Sequence, residues 1–296
     1  MKFLIIGASG TIGSQFIESL AKDRKDFDFT VNKNTAHYVN PKILDITNTS
    51  HTIDVIRQAN PDIVFHTAAL TNLDLCESDH ALANSINING IKNIIDGCKI
   101  TKSKLVFVSS SFVYDGTKQN YLEDEPISPT THYGITKGTG EKLVQNSGLN
   151  YLILRTDSLY GWIKKYQRIN PVIRVIDTLK SGKVLREIID WYNTPTYVPD
   201  FVHASLILAE NDEKGIFHVS GSDFLNRYDW SQQTADVFGL DRKLIIPIHS
   251  SELNLQAKRV NVNLTNEKLF EKTGIHMKGV RDGLFAMKSN EPDNLF

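Results

Sequence analysis

The chain is poor in the features that would place it outside the ordinary globular enzymes. It has only two cysteines, Cys76 and Cys98, in 296 residues. Two isolated thiols form neither a disulfide framework nor a metal site, and both read as small packing residues. No histidine has partners at ligand spacing, so no metal centre is expected. No apolar run approaches the ~18 residues needed to span a bilayer. Charge of one sign is also lacking: the formal net charge is −1 with no long basic run, which gives no support for a nucleic-acid surface. The start, Lys2-Phe-Leu-Ile-Ile6, runs straight into glycines and does not resemble a signal peptide. A cytoplasmic location is the default expectation. There is no internal repeat and no low-complexity tract. The 41% hydrophobic content leaves enough apolar material for a sizeable core.

What is present is an alternation. Short β-rich apolar runs at residues 3–6, 27–31, 62–65, 104–108 and 151–154 alternate with helical patterns at 11–22, 49–59, 81–99 and 133–146. Apolar runs of four or five between helices mark a parallel sheet covered on both faces. The expected fold is therefore α/β, a Rossmann-type doubly wound parallel sheet. After about residue 155 the pattern is less regular. Helices are expected at 171–181, 201–210 and from 226 to 238, an extended stretch at 194–199 and a strand at 215–219. Residues 1–155 are assigned to a nucleotide-binding domain, and 156–296 to a smaller substrate-binding part interleaved with the sheet. Residues 289–296 are expected to fray.

Gly7-Ala-Ser9-Gly10-Thr11-Ile12-Gly13 follows the first strand and opens a helix. The first glycine permits a tight turn, the second lets the backbone approach a pyrophosphate, and the third allows close helix–strand packing. The helix N-terminus adds N–H donors and a positive dipole end. A dinucleotide cofactor follows. The end of the second strand reads Thr30-Val-Asn32-Lys33-Asn34, without a carboxylate for the adenosine ribose, and Asp28 lies too early. Lys33 suits a 2′-phosphate, so NADP(H) is preferred over NAD(H). Asp45-Ile46 falls where a carboxylate can meet the adenine amino group and an apolar side chain can cover the ring. A plain turn aspartate fits the same spacing.

Tyr133 and Lys137 stand four apart in a helical pattern, hence on one face. An ammonium near a phenol lowers the phenol pKa and makes a proton donor usable near neutral pH. Ser109-Ser110-Ser111 ends a strand, the place where ligands bind in a doubly wound sheet. A hydroxyl there orients a carbonyl oxygen. Cofactor, tyrosine, serine and lysine together are the parts of a hydride-transfer site.

These residues resemble the extended short-chain dehydrogenase/reductases, and within them the dTDP-4-dehydrorhamnose reductase group. The likeness runs through the glycine loop, Ala68-Ala69-Leu-Thr71-Asn-Leu-Asp74-Leu-Cys-Glu77, Val108-Ser-Ser-Ser-Phe-Val-Tyr-Asp-Gly116, Tyr133-Gly-Ile-Thr-Lys137, Leu154-Arg155-Thr156, Thr194-Pro195-Thr196 and Ala257-Lys-Arg259. The resemblance implies Ser110, Tyr133 and Lys137 as the catalytic trio. It implies Gly7, Ser9, Gly10, Thr11, Ile12, Gly13, Asn32, Lys33, Asp45, Ile46, Ala68 and Ala69, with Tyr133 and Lys137, as the cofactor lining. Thr71, Ser111, Phe112 and Arg259 fall at the substrate side, and Thr71, Asp74 and Glu77 at the site mouth or a subunit contact. Arg155 suits either a phosphate or a structural ion pair. The implied function is reduction of a nucleotide-activated 4-keto sugar by NAD(P)H; a homodimer is left open.

Departures are equally visible. Ser110, Ser111 and Phe112 stand where the rhamnose reductases usually carry threonine, aspartate and tyrosine. Asp157-Ser158 replaces a Ser-Trp pair, and Val260 replaces a proline. Ser111-Phe112 supplies no acid/base carboxylate pair, which argues against a sugar-nucleotide dehydratase. An epimerase on the same scaffold stays open. So does a cofactor-binding regulatory subunit like that of methionine adenosyltransferase.

Overall fold

The computed structural model of the chain describes residues 1–33, 37, 38 and 41–292. Asn34, at the end of the expected second strand, and residues 293–296 of the expected frayed end lie outside them. Ser289, where that fraying was expected to start, closes the helix Val280–Ser289.

Six strands of the central sheet are β1 (Lys2–Ile6), β2 (Asp26–Val31), β3 (Lys42–Ile43), β4 (Ile63–His66), β5 (Lys104–Ser110) and β6 (Tyr151–Thr156). The seventh, Gly215–His218, comes from the second half of the chain and pairs with β6. The order is Gly215–His218, β6, β5, β4, β1, β2, β3, and every pairing is parallel. The doubly wound expectation is therefore met.

The helices among the strands are α1 (Thr11–Lys22), α2 (Thr49–Ala59), α3 (Leu73–Ser78), α4 (His80–Asn84), α5 (Gly90–Thr101) and α6 (His132–Gln145). Side chains alternate across each strand. Phe3, Ile5, Phe65, Val106, Leu152 and Leu154 pack on one face with Phe16 of α1 and the helix Val198–Glu210. Leu4, Ile6, Val64, Leu105, Phe107 and Ile153 pack on the other, against Ile56 of α2 and Ile91 and Ile94 of α5. Both faces are thus dry, as a parallel sheet requires. The order reverses between β1 and β4, and that switch point opens the ligand crevice.

Several local expectations need correction. The single helix over 81–99 is three pieces: α4, a π-helical turn Ser85–Asn89, and α5. The strand expected over 104–108 runs on through Ser109 and Ser110 as β5. Residues 198–199, expected extended, open the helix Val198–Glu210, where Pro199 sits in the first turn without losing a hydrogen bond. The second half adds helices Pro171–Lys180, Arg227–Phe238 and Val280–Ser289 around Tyr160 and Trp230. Strands Leu185–Ile188 and Ile245–Ile248 pair in parallel beside them. Among the described residues no helix is long and apolar enough to cross a membrane.

Candidate active site

The glycine loop closes β1 onto α1 with almost no spare room. Gly7 has φ +95°, and a Cβ there would lie 2.7 Å from the Ala68 nitrogen. A Cβ on Gly13 would come within 2.4 Å of the Gly7 carbonyl oxygen. Gly10 caps α1, and its Cβ would meet only that same oxygen, at 3.4 Å. Turn and packing therefore account for Gly7 and Gly13, while Gly10 keeps the helix N-terminus open to an anion. Ser9, Gly10, Thr11, Ile12 and Gly13 lie along one wall of a cavity of about 710 Å³. Gly7, Asn32, Lys33, Asp45, Ile46, Ala68 and Ala69 line the adjoining cleft. A cradle that any Cβ would fill, a free helix N-terminus and two abutting clefts fit a dinucleotide.

Asp28 is not at this cleft's polar end. It pairs with Lys2 (3.1 Å) and Lys42 (3.8 Å) on the sheet. Asp45 lines the cleft, and its Oδ1 accepts from the Thr47 N–H (2.9 Å) and hydroxyl (2.8 Å). Those bonds hold its carboxyl below the usual range. It is a turn aspartate that also faces the cleft. Ile46 packs against α5, where a Cβ on Gly90 would lie 2.6 Å from its Cδ1.

Ser110, Tyr133 and Lys137 share the larger cavity. Ser110 ends β5, and its Oγ accepts from the Phe112 N–H at 3.3 Å. α6 is capped by Thr131, whose Oγ1 accepts from the Gly134 N–H at 3.1 Å. Tyr133, Lys137 and Glu141 recur every fourth residue on that helix, so they stack along one side. The Lys137 Nζ lies 4.6 Å from the Phe107 ring centroid. Burial pushes this ammonium down to about 8, with Glu141 working against it. Burial pushes the Tyr133 phenol up, and the Ser110 hydroxyl opposes that shift. The expectation of a phenol lowered by its lysine is thus overturned in this structure. Helical spacing puts the two groups on one side of α6, but desolvation of the phenolate dominates at the phenol.

Behind the trio lies a buried network. Glu141 accepts from Arg155 Nε (2.9 Å) and Nη2 (2.7 Å), and its Oε1 accepts from the Ser109 hydroxyl at 2.5 Å. Arg155 also donates to the Tyr114 hydroxyl, and Tyr114 meets His218 Nε2 at 3.0 Å. Of the two readings of Arg155, the ion pair is the one realised. Asn87, from the π-helical turn, bonds both backbone groups of Leu70 (2.8 and 3.0 Å) and donates to Thr136 on α6 (3.1 Å). It ties the loop after β4 to α6, which carries Tyr133 and Lys137, a role the sequence does not signal.

On the substrate side Thr71 and Phe112 line the cavity. Ser111 does not. It is 1% exposed in the 3-10 turn Ser111–Val113, with its carbonyl taken by the Tyr114 N–H at 3.0 Å, so its place at the substrate is corrected. Arg259 lines the cavity but is held by Asp74 at 2.7 and 3.1 Å. Asp74 also accepts from the Gln256 and Ala257 N–H groups, fastening the loop after β4 to the late loop. Glu77 accepts from the His132 N–H at 2.9 Å and anchors the start of α6. Sequence reasoning missed Gln167, which donates to the Ser9 carbonyl (3.2 Å) and the Ser14 hydroxyl (2.9 Å) across the glycine loop. It also missed Arg227, whose guanidinium sits 4.3 Å from the Trp191 ring and 5.0 Å from the Trp230 ring. Burial brings Arg227 down to about 10, and its Nε and Nη1 have no partner. Among the described residues no group of three or more His, Cys, Asp or Glu side chains could hold a metal ion.

Comparison with known proteins places the fold. The family model described as the RmlD substrate binding domain matches residues 1–291. The crystal structure of dTDP-4-dehydrorhamnose reductase from Bacillus anthracis in complex with NADP superposes with a TM-score of 0.89 at 27% identity, covering 98% of this chain and 99% of that one. The spore coat polysaccharide biosynthesis protein SpsK of Bacillus subtilis is 28% identical over 286 residues, 96% of this chain and 95% of that protein. Methionine adenosyltransferase 2 subunit beta of Xenopus tropicalis is 28% identical over 295 residues, 95% of this chain and 86% of that protein.

Proposed function

The chain belongs to the RmlD substrate binding domain family, and from that premise we propose that it reduces a nucleotide-activated 4-keto sugar, with NADP(H) preferred over NAD(H). One observation carries the reading. Ser110, Tyr133 and Lys137 stand on the wall of a single cavity that begins at the glycine loop and ends among arginines. The bound nicotinamide would supply the hydride. Gly7, Gly10, Gly13, Ala68 and Ala69 would hold the dinucleotide, and Lys33 would meet a 2′-phosphate. Ser110 donates a hydrogen bond to the C4 oxygen and fixes its direction. Tyr133 delivers the proton to that oxygen as the hydride arrives. Lys137 stabilises the phenolate that remains and contacts the nicotinamide ribose. Residues 156–296 act as the substrate-binding part, with Thr71, Phe112 and Arg259 around the sugar nucleotide. Arg168 and Arg227, neither held in an ion pair among the described residues, add positive field for a diphosphate.

The test is loss of NADPH absorbance with a dTDP-4-keto-6-deoxysugar. Tyr133→Phe should lower turnover by about 10²–10⁴-fold, the usual weight of a positioned general acid. Equal turnover in wild type and mutant would remove the tyrosine chemistry. Isomerised sugar without net cofactor use would point to an epimerase instead.

The likeness to methionine adenosyltransferase 2 subunit beta over 95% of the chain favours a second reading, a cofactor-binding regulatory subunit with little catalysis. Co-purification with such an enzyme, and no ketosugar turnover, would select it.

A further inference from the structure

In the sheet Ser110 is the register partner of Thr156, so the next residue, Asp157, emerges beside the catalytic serine. Neighbouring strands stand about 4.8 Å apart. Asp157 lines the same cavity as Ser110 and Tyr133. The side chain is 5% exposed. Its Oδ2 accepts from the Thr194 N–H (3.0 Å) and Asn193 Nδ2 (3.4 Å), and its Oδ1 from the Ser158 hydroxyl (3.0 Å). Among the described residues it makes no direct ion pair, although the Arg227 guanidinium attracts it from beyond contact distance. Arg227 reaches toward the Ser158 hydroxyl instead, at 3.5 Å.

A buried carboxylate without a counter-ion in direct contact is costly, and it needs donors on most of its roughly four acceptor positions. The protein supplies three. Two further polar atoms nearby, Asn193 Oδ1 and Thr194 Oγ1, are buried without partners. Ser158 holds φ +39°, a left-handed backbone that costs a non-glycine residue about 1 kcal/mol or more. A left-handed backbone at Ser158 and a buried acid with one acceptor position left open coincide on the wall of the cavity that holds Ser110 and Tyr133. Such coincidences mark ligand sites.

We propose that Asp157 is the specificity residue of the sugar subsite and accepts a hydrogen bond from a hydroxyl or ammonium group on the sugar ring. The inference rests on the ketosugar reading. On a 4-keto-6-deoxy ring C5 bears only a methyl group, so the donor beside C4 is the substituent on C3. Hydroxyl and ammonium share this chemistry, and the experiment separates them.

The experiment uses three dTDP-4-keto-6-deoxysugars that differ only at C3: hydroxyl, amino and hydrogen. NADPH oxidation is measured for wild type, Asp157→Asn and Asp157→Ser, with NADPH binding as the check on folding. Wild type should favour either the hydroxyl or the amino compound over the 3-deoxy compound by at least about tenfold in kcat/KM, because unsatisfied buried polar groups penalise the analogue. Preference for the amino sugar identifies the ammonium, and preference for the hydroxyl identifies the neutral donor. Asp157→Asn should narrow the preference and Asp157→Ser abolish it, with NADPH binding unchanged. Rates within twofold for all three sugars in wild type would overturn the assignment. So would an equal loss on all three in both variants. If none of the sugars reacts or binds, the ketosugar reading falls first and this inference with it.

Discussion

Replacing Glu141 by glutamine preserves shape and removes one charge, which makes the buried network behind Ser110, Tyr133 and Lys137 a sharp test. Glu141 is 1% exposed and Arg155 2%. The substitution leaves a guanidinium inside the protein with its bidentate partner neutralised. Breaking a buried pair by removing one member costs about 3–5 kcal/mol. At roughly 2.1 cal/mol/K per residue, 296 residues have an unfolding entropy of about 0.6 kcal/mol/K. The expected fall in Tm is then about 5–8 °C, read by circular dichroism. A second variant, Glu141→Leu with Arg155→Met, removes both charges together and should recover most of that loss, because the uncompensated charge is gone. Glu141 also raises the Lys137 pKa, so Glu141→Gln should move any lysine-controlled limb of the pH–rate profile to lower pH. A Tm change under about 2 °C in Glu141→Gln would refute the reasoning. A double variant no better than the sum of its single changes would do the same.

Three further outcomes follow from the site. Lys137 sits at about 8 in the folded protein against an ordinary value of 10.5; kcat/KM for ketone reduction should therefore fall as pH rises through about 8, and Lys137→Arg should shift that limb upward. Between those values the unfolded chain binds more protons than the folded one, so stability should rise with pH from about 8 to 10.5 in wild type and not in Lys137→Met, as paired thermal melts would reveal. Gly134→Ala would place a Cβ 2.1 Å from the Phe112 carbonyl oxygen, pushing the start of α6 off the Ser110 turn; a loss of about 10²-fold in kcat with little change in NADPH affinity is expected from a displacement near 1 Å.

Where function depended on short-range pattern, the sequence could be read well. The loop Gly7–Gly13 carries its turn, its packing and its ligand approach within seven residues, and the strands of the sheet announce themselves by unbroken apolar runs. Strands of two residues such as Lys42–Ile43 carry no such pattern. The link from Asn87 to Leu70 and Thr136 could not be read either, because it joins residues 17 and 49 positions apart. Arg259 reads as a substrate-side cation, and nothing in the sequence shows its partner Asp74, 185 positions away. Asp157 did show as a departure from relatives, but only the register of β5 with β6 sets it beside Ser110. The Tyr133 pKa failed for another reason: spacing reports direction along a helix and says nothing of desolvation.

The π-helical turn Ser85–Asn89 makes this enzyme scaffold unusually intolerant of a particular editing operation. A π turn holds one residue more than an α turn, so the flanking helices are out of phase by about 100°. Deleting any one residue between 85 and 89 would regularise the helix and turn one flank against the other by that angle. Either Asn87 would swing off Leu70 and Thr136, or Gly90 and Gly97 would leave the faces where Ile46 and Ile56 press against them. Length, along with the asparagine at 87, is what natural variation in this segment would have to keep.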